Sequence, residues 1–337
     1  MPETDESLCY LSPDKLNIHN HLCVLPCGGL SEKDDVKWTE KELEPAVWYL
    51  LEGKRVDRMF GGFVFNAISC RKDRYLYPLY MGFGELPDME DWKEWINTLF
   101  RGGENLHALQ SLANRPLDVW VSVPYPHHFQ EQFGVVNGKM LDFRDEEDRF
   151  QAVKWWIDLF MQRWNAEQPV LSHLNFRGFL WARESVDEGD TGLAKRYNAY
   201  VKEKGAHSLW LPNYGTYGIV DSSTLGFDVT LVNPNYYGNT PYGMEWIQHT
   251  SDFAQIYHTG MQVIFGKGFV YNDVHLLDYL NFGLPEYKRY MTKTLIAYQF
   301  PNQTVRTIYE QRFVDYIRIY SFIKGIYAKV NYPGITY

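Results

Sequence analysis

The chain has 337 residues, 45% of them hydrophobic, and a formal net charge of −9. That is enough apolar sequence to bury a substantial core without disulfides. The acidic balance, with no Lys/Arg-rich block, argues against nucleic acid and anionic membrane surfaces as partners. No apolar run approaches the ~20 residues of a membrane span. The four cysteines, Cys9, Cys23, Cys27 and Cys70, are too few and too unevenly spaced for a disulfide framework and fit a reducing compartment. The acidic opening Met1–Glu6 is unlike a signal peptide. A cytoplasmic protein is therefore expected from the sequence as it stands, or a secreted one if a leader has been removed.

Asn20 to Pro26 is a first strand, broken by Pro26 and Gly28-Gly29. A helix follows, capped by Thr39 with Glu42 three residues on, and with Leu43, Ala46, Val47, Leu50 and Leu51 on one face. Met59 to Ile68 is the second strand, ending near Asn66. Residues 69–90, without clear period from Arg71 to Asp88, are an insertion after it. Asp91 to Leu112 is helical, interrupted at Arg101-Gly102-Gly103. Leu117 to Pro124 is the third strand and opens into Tyr125-Pro126-His127-His128. After a loop through Asn137-Gly138, Asp145 to Trp164 is an amphipathic helix.

The fourth strand, from Phe176, is a short apolar and aromatic run closed by Arg183-Glu184. A helix over Leu193–Glu203 leads to the fifth strand, Ser208 to Pro212, which ends in Asn213-Tyr214-Gly215. Val229 to Val232 is the sixth and ends in Asn233-Pro234-Asn235-Tyr236. A helix near Met244–His258 leads to the seventh, Met261 to Phe265. A helix over Leu284–Lys293 leads to the eighth, Thr294 to Phe300, and Val305–Lys324 closes the chain. Eight strands alternating with helices have the rhythm of an α/β fold of the TIM-barrel type, a single (β/α)8 domain over residues 1–337 with insertions. An open doubly wound sheet would want a Gly-x-Gly-x-x-Gly turn after the first strand, and none is there.

In such a barrel the strand ends collect on the active face. They carry Asn66, Tyr125, His127, Trp181, Arg183, Glu184, Asn213, Tyr214, Asn235, Tyr236, Lys267 and Gln299. Amides, phenols and rings around one carboxylate suit a neutral polyhydroxylated ligand, so a carbohydrate is the expected partner. Glycoside hydrolysis needs two carboxyl groups. Glu184, poorly solvated at a ring-lined mouth, is the candidate general acid, with an ion pair holding the strand end as its plainer role. The seventh strand, Val263-Ile264-Phe265-Gly266-Lys267, carries no acid. Asp273 is the first substitute, ahead of Asp187, Asp221 and Glu245. Asp228 precedes the sixth strand, at the stability end of the barrel, and is set aside.

His19-x-His21 ahead of Cys23-x-x-x-Cys27 could alternate metal ligands along one strand face. A metal-dependent amidohydrolase would also want a fourth-strand Lys, later strand-end His residues and an eighth-strand Asp. Those places hold Glu184, Asn213, Asn235 and Gln299, so packing is the expected role and no metal is expected. No nucleophile elbow, cysteine-nucleophile signature or phosphate loop is present, and no cofactor is expected.

Taken together, several segments resemble the family called domain of unknown function 4855. They are Phe60-x-Gly62-Phe63-Val64-Phe65, Leu141-Asp142-Phe143 ahead of the Arg149/Trp155-Trp156/Asp158 helix, Gly178-Phe179-Leu180-Trp181-x-x-Glu184, Leu209-Trp210-Leu211-Pro212-Asn213-Tyr214, and Leu225-Gly226-Phe227-Asp228 with Asn233-Pro234-Asn235-Tyr236. The resemblance runs from about Leu43 to Lys329. That family is similar to glycoside-hydrolase barrels and is regarded as carbohydrate-active, with bacterial members often secreted. The resemblance implies a barrel, a polysaccharide-related role and Glu184 as the fourth-strand acid. Members tend to carry acids on the seventh strand, where this chain has Ile264 and Gly266. A non-catalytic carbohydrate-binding barrel is therefore the alternative to a hydrolase.

Overall fold

The computed structural model describes residues 8–29 and 37–329; the acidic opening Met1–Glu6 lies outside them. Eight strands form a closed barrel in which neighbours in space are neighbours in the chain. They are β1 (Leu22–Cys27), β2 (Gly62–Ala67), β3 (Leu117–Val123), β4 (Leu174–Trp181), β5 (His207–Trp210), β6 (Val229–Val232), β7 (Gly260–Ile264) and β8 (Ile296–Gln299). The registers are parallel, for example Trp181 opposite Val123 and Trp210, and Ile264 opposite Gln299. β3, β6 and β7 are buried along their whole length, as expected of parallel strands covered by helices. The helices are α1 (Glu40–Val47), α2 (Met89–Leu99), α3 (Asn105–Leu112), α4 (Glu146–Glu167), α5 (Thr191–Glu203), α6 (Glu245–Ile256), α7 (His275–Phe282), α8 (Tyr290–Lys293), α9 (Val305–Gln311) and α10 (Phe313–Ile323). Among the described residues, no helix is long and apolar enough to cross a membrane.

The chain divides into two compact units. One comprises Leu25–Leu43 and Phe63–Asp228. Its core is built on tryptophan: Trp92, Trp95, Trp120, Trp156 and Trp210 are almost fully buried, each contributing about 1.5–3 kcal/mol or more. Trp156 donates its indole N–H to the Trp92 carbonyl at 2.8 Å, so the rings are also tied by a polar bond. The long α4 starts at Asp145, which caps the Glu147 N–H at 2.9 Å, and carries Glu146, Glu147 and Asp148 in its positive first turn. Gly178 lets β4 approach β5, since a Cβ there would lie 1.8 Å from the His207 carbonyl oxygen. At the foot of β3 the buried Asp118 binds Arg177 at 2.7 Å, and Asp228 accepts from the Ser208 N–H at 3.0 Å. Both acids are structural.

The second unit comprises Met1–Val24, Glu44–Gly62 and Val229–Tyr337. Here the expected helices need correction. α1 ends at Val47, and Trp48–Leu51 instead pairs as a strand with Lys54–Arg58. The two-residue turn between them has Glu52 and Gly53 both at positive φ, the hairpin geometry that matches strand twist. The expected helix over Leu284–Lys293 shrinks to α8 behind Arg289, whose φ of 62° breaks the run, while the real helix of that loop is α7. The closing helix splits at Arg312, which leaves the helical region.

Candidate functional site

Glu184 emerges just beyond β4, on the loop that follows it, and is half-buried. Its backbone is pinned from the residue before, where the Trp210 indole donates to the Arg183 carbonyl at 2.8 Å. Both carboxylate oxygens accept a hydrogen bond. Asn213, just past β5, donates Nδ2 to Oε2 at 2.5 Å, and the Tyr77 hydroxyl donates to Oε1. Tyr80 stands behind Tyr77 with ring centroids 5.5 Å apart. Burial, and then the nearby charge of Glu184, push the Tyr80 phenol above its ordinary value. Tyr77 and Tyr80 come from the insertion after β2, a short hairpin of Ser69–Arg71 with Arg74–Tyr75 followed by a 3-10 turn over Pro78–Phe83. The signal that could have found them is their spacing of three, repeated at Phe83, which is neither the period of a strand nor that of an α-helix.

The bonds of Arg183 go to residues other than Glu184. It donates to Asp187 at 2.7 Å, to the Tyr125 hydroxyl at 3.2 Å and to Asp190. Asp190, at the head of α5, is 2% exposed and also receives Arg149 of α4 and the Tyr125 hydroxyl at 2.8 Å. Burial would raise the Asp190 carboxyl. Arg149, Tyr125 and Arg183 override it and hold the group below the usual carboxylate range. Both guanidinium groups also lie over the Tyr125 ring, at 5.6 and 5.5 Å. This is a closed structural cluster: it uses up the Tyr125 hydroxyl and ties the β4 loop to two helices.

Four further expected residues belong to the same unit. Trp181 is 3% exposed, tilted against Tyr197 of α5 at 5.1 Å and edge-on to Tyr125, and that burial leaves its ring to the core rather than to a ligand. His127 is half-buried beside Tyr125 and stacked on His128 at 4.7 Å. Burial, then the positive neighbours His128, Arg149 and Arg183, keep it below the ordinary histidine value. Asn66, at the end of β2, keeps a buried Oδ1 with no hydrogen-bond partner. Tyr214 is half-buried next to Asn213.

The second unit holds the rest. Asn235 is in the left-handed region, with a φ of 58°, and its N–H is fixed by Asn233 Oδ1 at 2.9 Å. Tyr236 is buried and donates its hydroxyl to Asp278 of α7, which lines a recess of about 180 Å³. Burial raises the Asp278 carboxyl despite the bond from Tyr236. Gln299 donates to Gln262 Oε1 at 2.5 Å, and Gln262 donates on to the Leu231 carbonyl. Asp273 is exposed on the loop ahead of α7.

His19 and His21 do not make a metal site. His19 is exposed, whereas His21 is buried, bonded to the Tyr298 hydroxyl at 2.9 Å and brought down to about 3 by burial and then Lys324. Burial raises Cys23 and Cys27, keeping them as thiols. Among the described residues, no group of three or more His, Cys, Asp or Glu is placed to hold a metal ion.

The family model described as "Domain of unknown function (DUF4855)" matches residues 23–324. No curated protein matches the chain. Among solved structures, a variant tryptophan synthase alpha-subunit from Pyrococcus furiosus is 8% identical over 91% of this chain and 97% of its own, with a TM-score of 0.40. A type I 3-dehydroquinate dehydratase from Clostridium difficile is 10% identical over 91% of this chain and 92% of its own, with a TM-score of 0.43.

Proposed function

We propose that this chain, which belongs to the DUF4855 family, is a carbohydrate-active barrel that hydrolyses a glycosidic bond in an oligo- or polysaccharide, with Glu184 as one of its reacting carboxylates. The observation that carries the reading is the setting of Glu184, half-buried past a barrel strand and held by a phenol and an amide rather than a cation. A carboxylate with no counter-ion among those bonds is not already matched to a positive partner there and can face one, such as the oxocarbenium-like carbon of a glycoside in its transition state. Both oxygens are acceptors here, which is the arrangement of a nucleophile or a base. To serve as general acid, Glu184 would trade one of these bonds for donation to the leaving oxygen. Asn213, Tyr214, Asn66 and His127 are the proposed sugar contacts in the unit of Glu184, and Asp273, exposed on its loop, is the acid proposed in the other unit. Asn235, Tyr236 and Gln299 are proposed as carbohydrate contacts within their own unit.

Glu184→Gln tests this. On a glycan the wild type degrades, turnover should fall by orders of magnitude while thermal unfolding stays in place. Turnover equal to wild type in a folded variant would end the assignment. One observation favours a second reading, a carbohydrate-binding barrel without catalysis: Asp187 and Asp190, the two aspartates of the Glu184 loop, are both bound to Arg183. Saturable glycan binding with no sugar released over long incubation would decide for it.

A further inference from the structure

We propose that Tyr77, Tyr80 and Phe83 are a row of stacking positions, one sugar unit per ring, that leads an extended glycan chain to Glu184. The inference rests on the carbohydrate reading and adds to it a substrate class: a soluble, twisting polysaccharide rather than a short sugar or a flat crystalline surface.

The row follows from local backbone geometry. Pro78–Phe83 is a 3-10 turn, with Tyr77 as the extended residue that enters it. At three residues per turn, positions three apart fall on one line along the helix, which an α-helix would not do. Tyr80 and Phe83 occupy that line and Tyr77 stands at its entry, with successive ring centroids 5.5 and 6.4 Å apart. The inner end is fixed, since the Tyr77 hydroxyl donates to Glu184, Tyr75 packs edge-on to Tyr80 at 6.3 Å and Met81 is buried. The outer end is open, with Phe83 71% exposed. Isolated exposed rings are ordinary on a protein surface. A graded row that begins on a half-buried carboxylate is not isolated: it offers one apolar face after another along a path to that carboxylate. Successive rings are turned 63° and 51° from each other, so they make no flat platform and suit a chain whose units rotate along its length.

The test uses the full chain carrying Glu184→Gln, so that ligand is bound without being consumed. Native gels containing xylan, mannan, mixed-linkage glucan or polygalacturonate identify a retained polymer, and calorimetry then follows short and long oligosaccharides of it. Affinity should rise with length. Adding Phe83→Ala should weaken the long oligosaccharides about tenfold, the share of one ring contact, and leave the shortest unchanged. Tyr80→Ala should act on shorter members of the series, with its melting curve checked. Affinities that ignore Phe83→Ala and Tyr80→Ala at every length would overturn the row while the carbohydrate reading stands. No retained polymer, together with no sugar released by the wild type, would remove that reading and the row with it.

Discussion

Glu184 and Asp190 stand on the same loop after β4 and are held in opposite ways. Asp190 is buried among two guanidinium groups and a phenol, and its charge is matched several times over. Glu184 is half-buried and takes its bonds from a hydroxyl and an amide, donors that orient a carboxylate without neutralising it. A buried acid paired with cations holds a fold together, and its charge is not available to a ligand. An acid fixed by neutral donors is held in position by bonds that do not match its charge. The two settings separate the structural carboxylate from the chemical one more sharply than proximity to a strand end does, because both residues satisfy that simpler criterion.

Paired substitutions put the contrast to work. Glu184→Gln should cost orders of magnitude in turnover and little in stability. Asp190→Ala should do the reverse to the fold, since it strands the buried Arg149 beside Tyr125 and leaves Arg183 with Asp187 as its carboxylate partner. A loss of about 3–5 kcal/mol is expected in urea unfolding. A D190A protein as stable as wild type would show that the cluster is not what closes the β4 loop. Acid adds a second reading of the same residue. Its folded carboxyl is depressed, so its stabilisation is complete above the unfolded value near 3.9 and is lost as pH falls through the lower folded value. Wild type should therefore lose stability over that low-pH window, and D190A should show a flatter acid limb.

Tyr77→Phe is the finer probe of the Glu184 side. Removing one hydroxyl from a bond to a carboxylate should lower kcat about tenfold, with KM and the melting temperature nearly unchanged. Tyr77 positions Glu184 and is not itself a reacting group, so a rise in KM with constant kcat would contradict its role.

The barrel was legible because buried parallel strands are short apolar runs between helices, and β3, β4, β6 and β7 are such runs. The Arg101-Gly102-Gly103 interruption likewise became the break between α2 and α3. Small hairpins were harder. Asn137-Gly138 is the strongest hairpin turn in the sequence and does join Gly134–Val136 to Lys139–Leu141, yet strands of three residues carry no alternation to count. At Trp48–Leu51 the apolar face of α1 runs on into a strand, and periodicity cannot separate the two over four residues. At the site, Glu184 and Asn213 were legible as strand ends. Tyr77 was not, because it reaches Glu184 from a different loop. Whether Arg183 tunes Glu184 or points elsewhere was not legible, because a neighbour in sequence need not be a neighbour in space; its carboxylate partners are Asp187 and Asp190.

A third tyrosine–carboxylate pair sharpens the comparison at its weakest point. Asp278, bonded by the Tyr236 hydroxyl, has no cation among its hydrogen bonds, like Glu184, but here burial wins and raises the carboxyl. The sign is opposite to that of Asp190. A raised folded value means that the stabilisation belongs to the protonated form. It is complete below the unfolded value near 3.9 and is lost as pH rises through the higher folded value. Asp278→Asn keeps an acceptor for Tyr236 and removes the charge, so it should stabilise the protein at pH 7 by about 0.5 kcal/mol and change nothing near pH 3. Melting curves at the two pH values read the difference directly. A destabilised D278N at neutral pH would mean that the Asp278 charge is answered by a group other than Tyr236, and that neutral donors alone do not mark a carboxylate as free for chemistry.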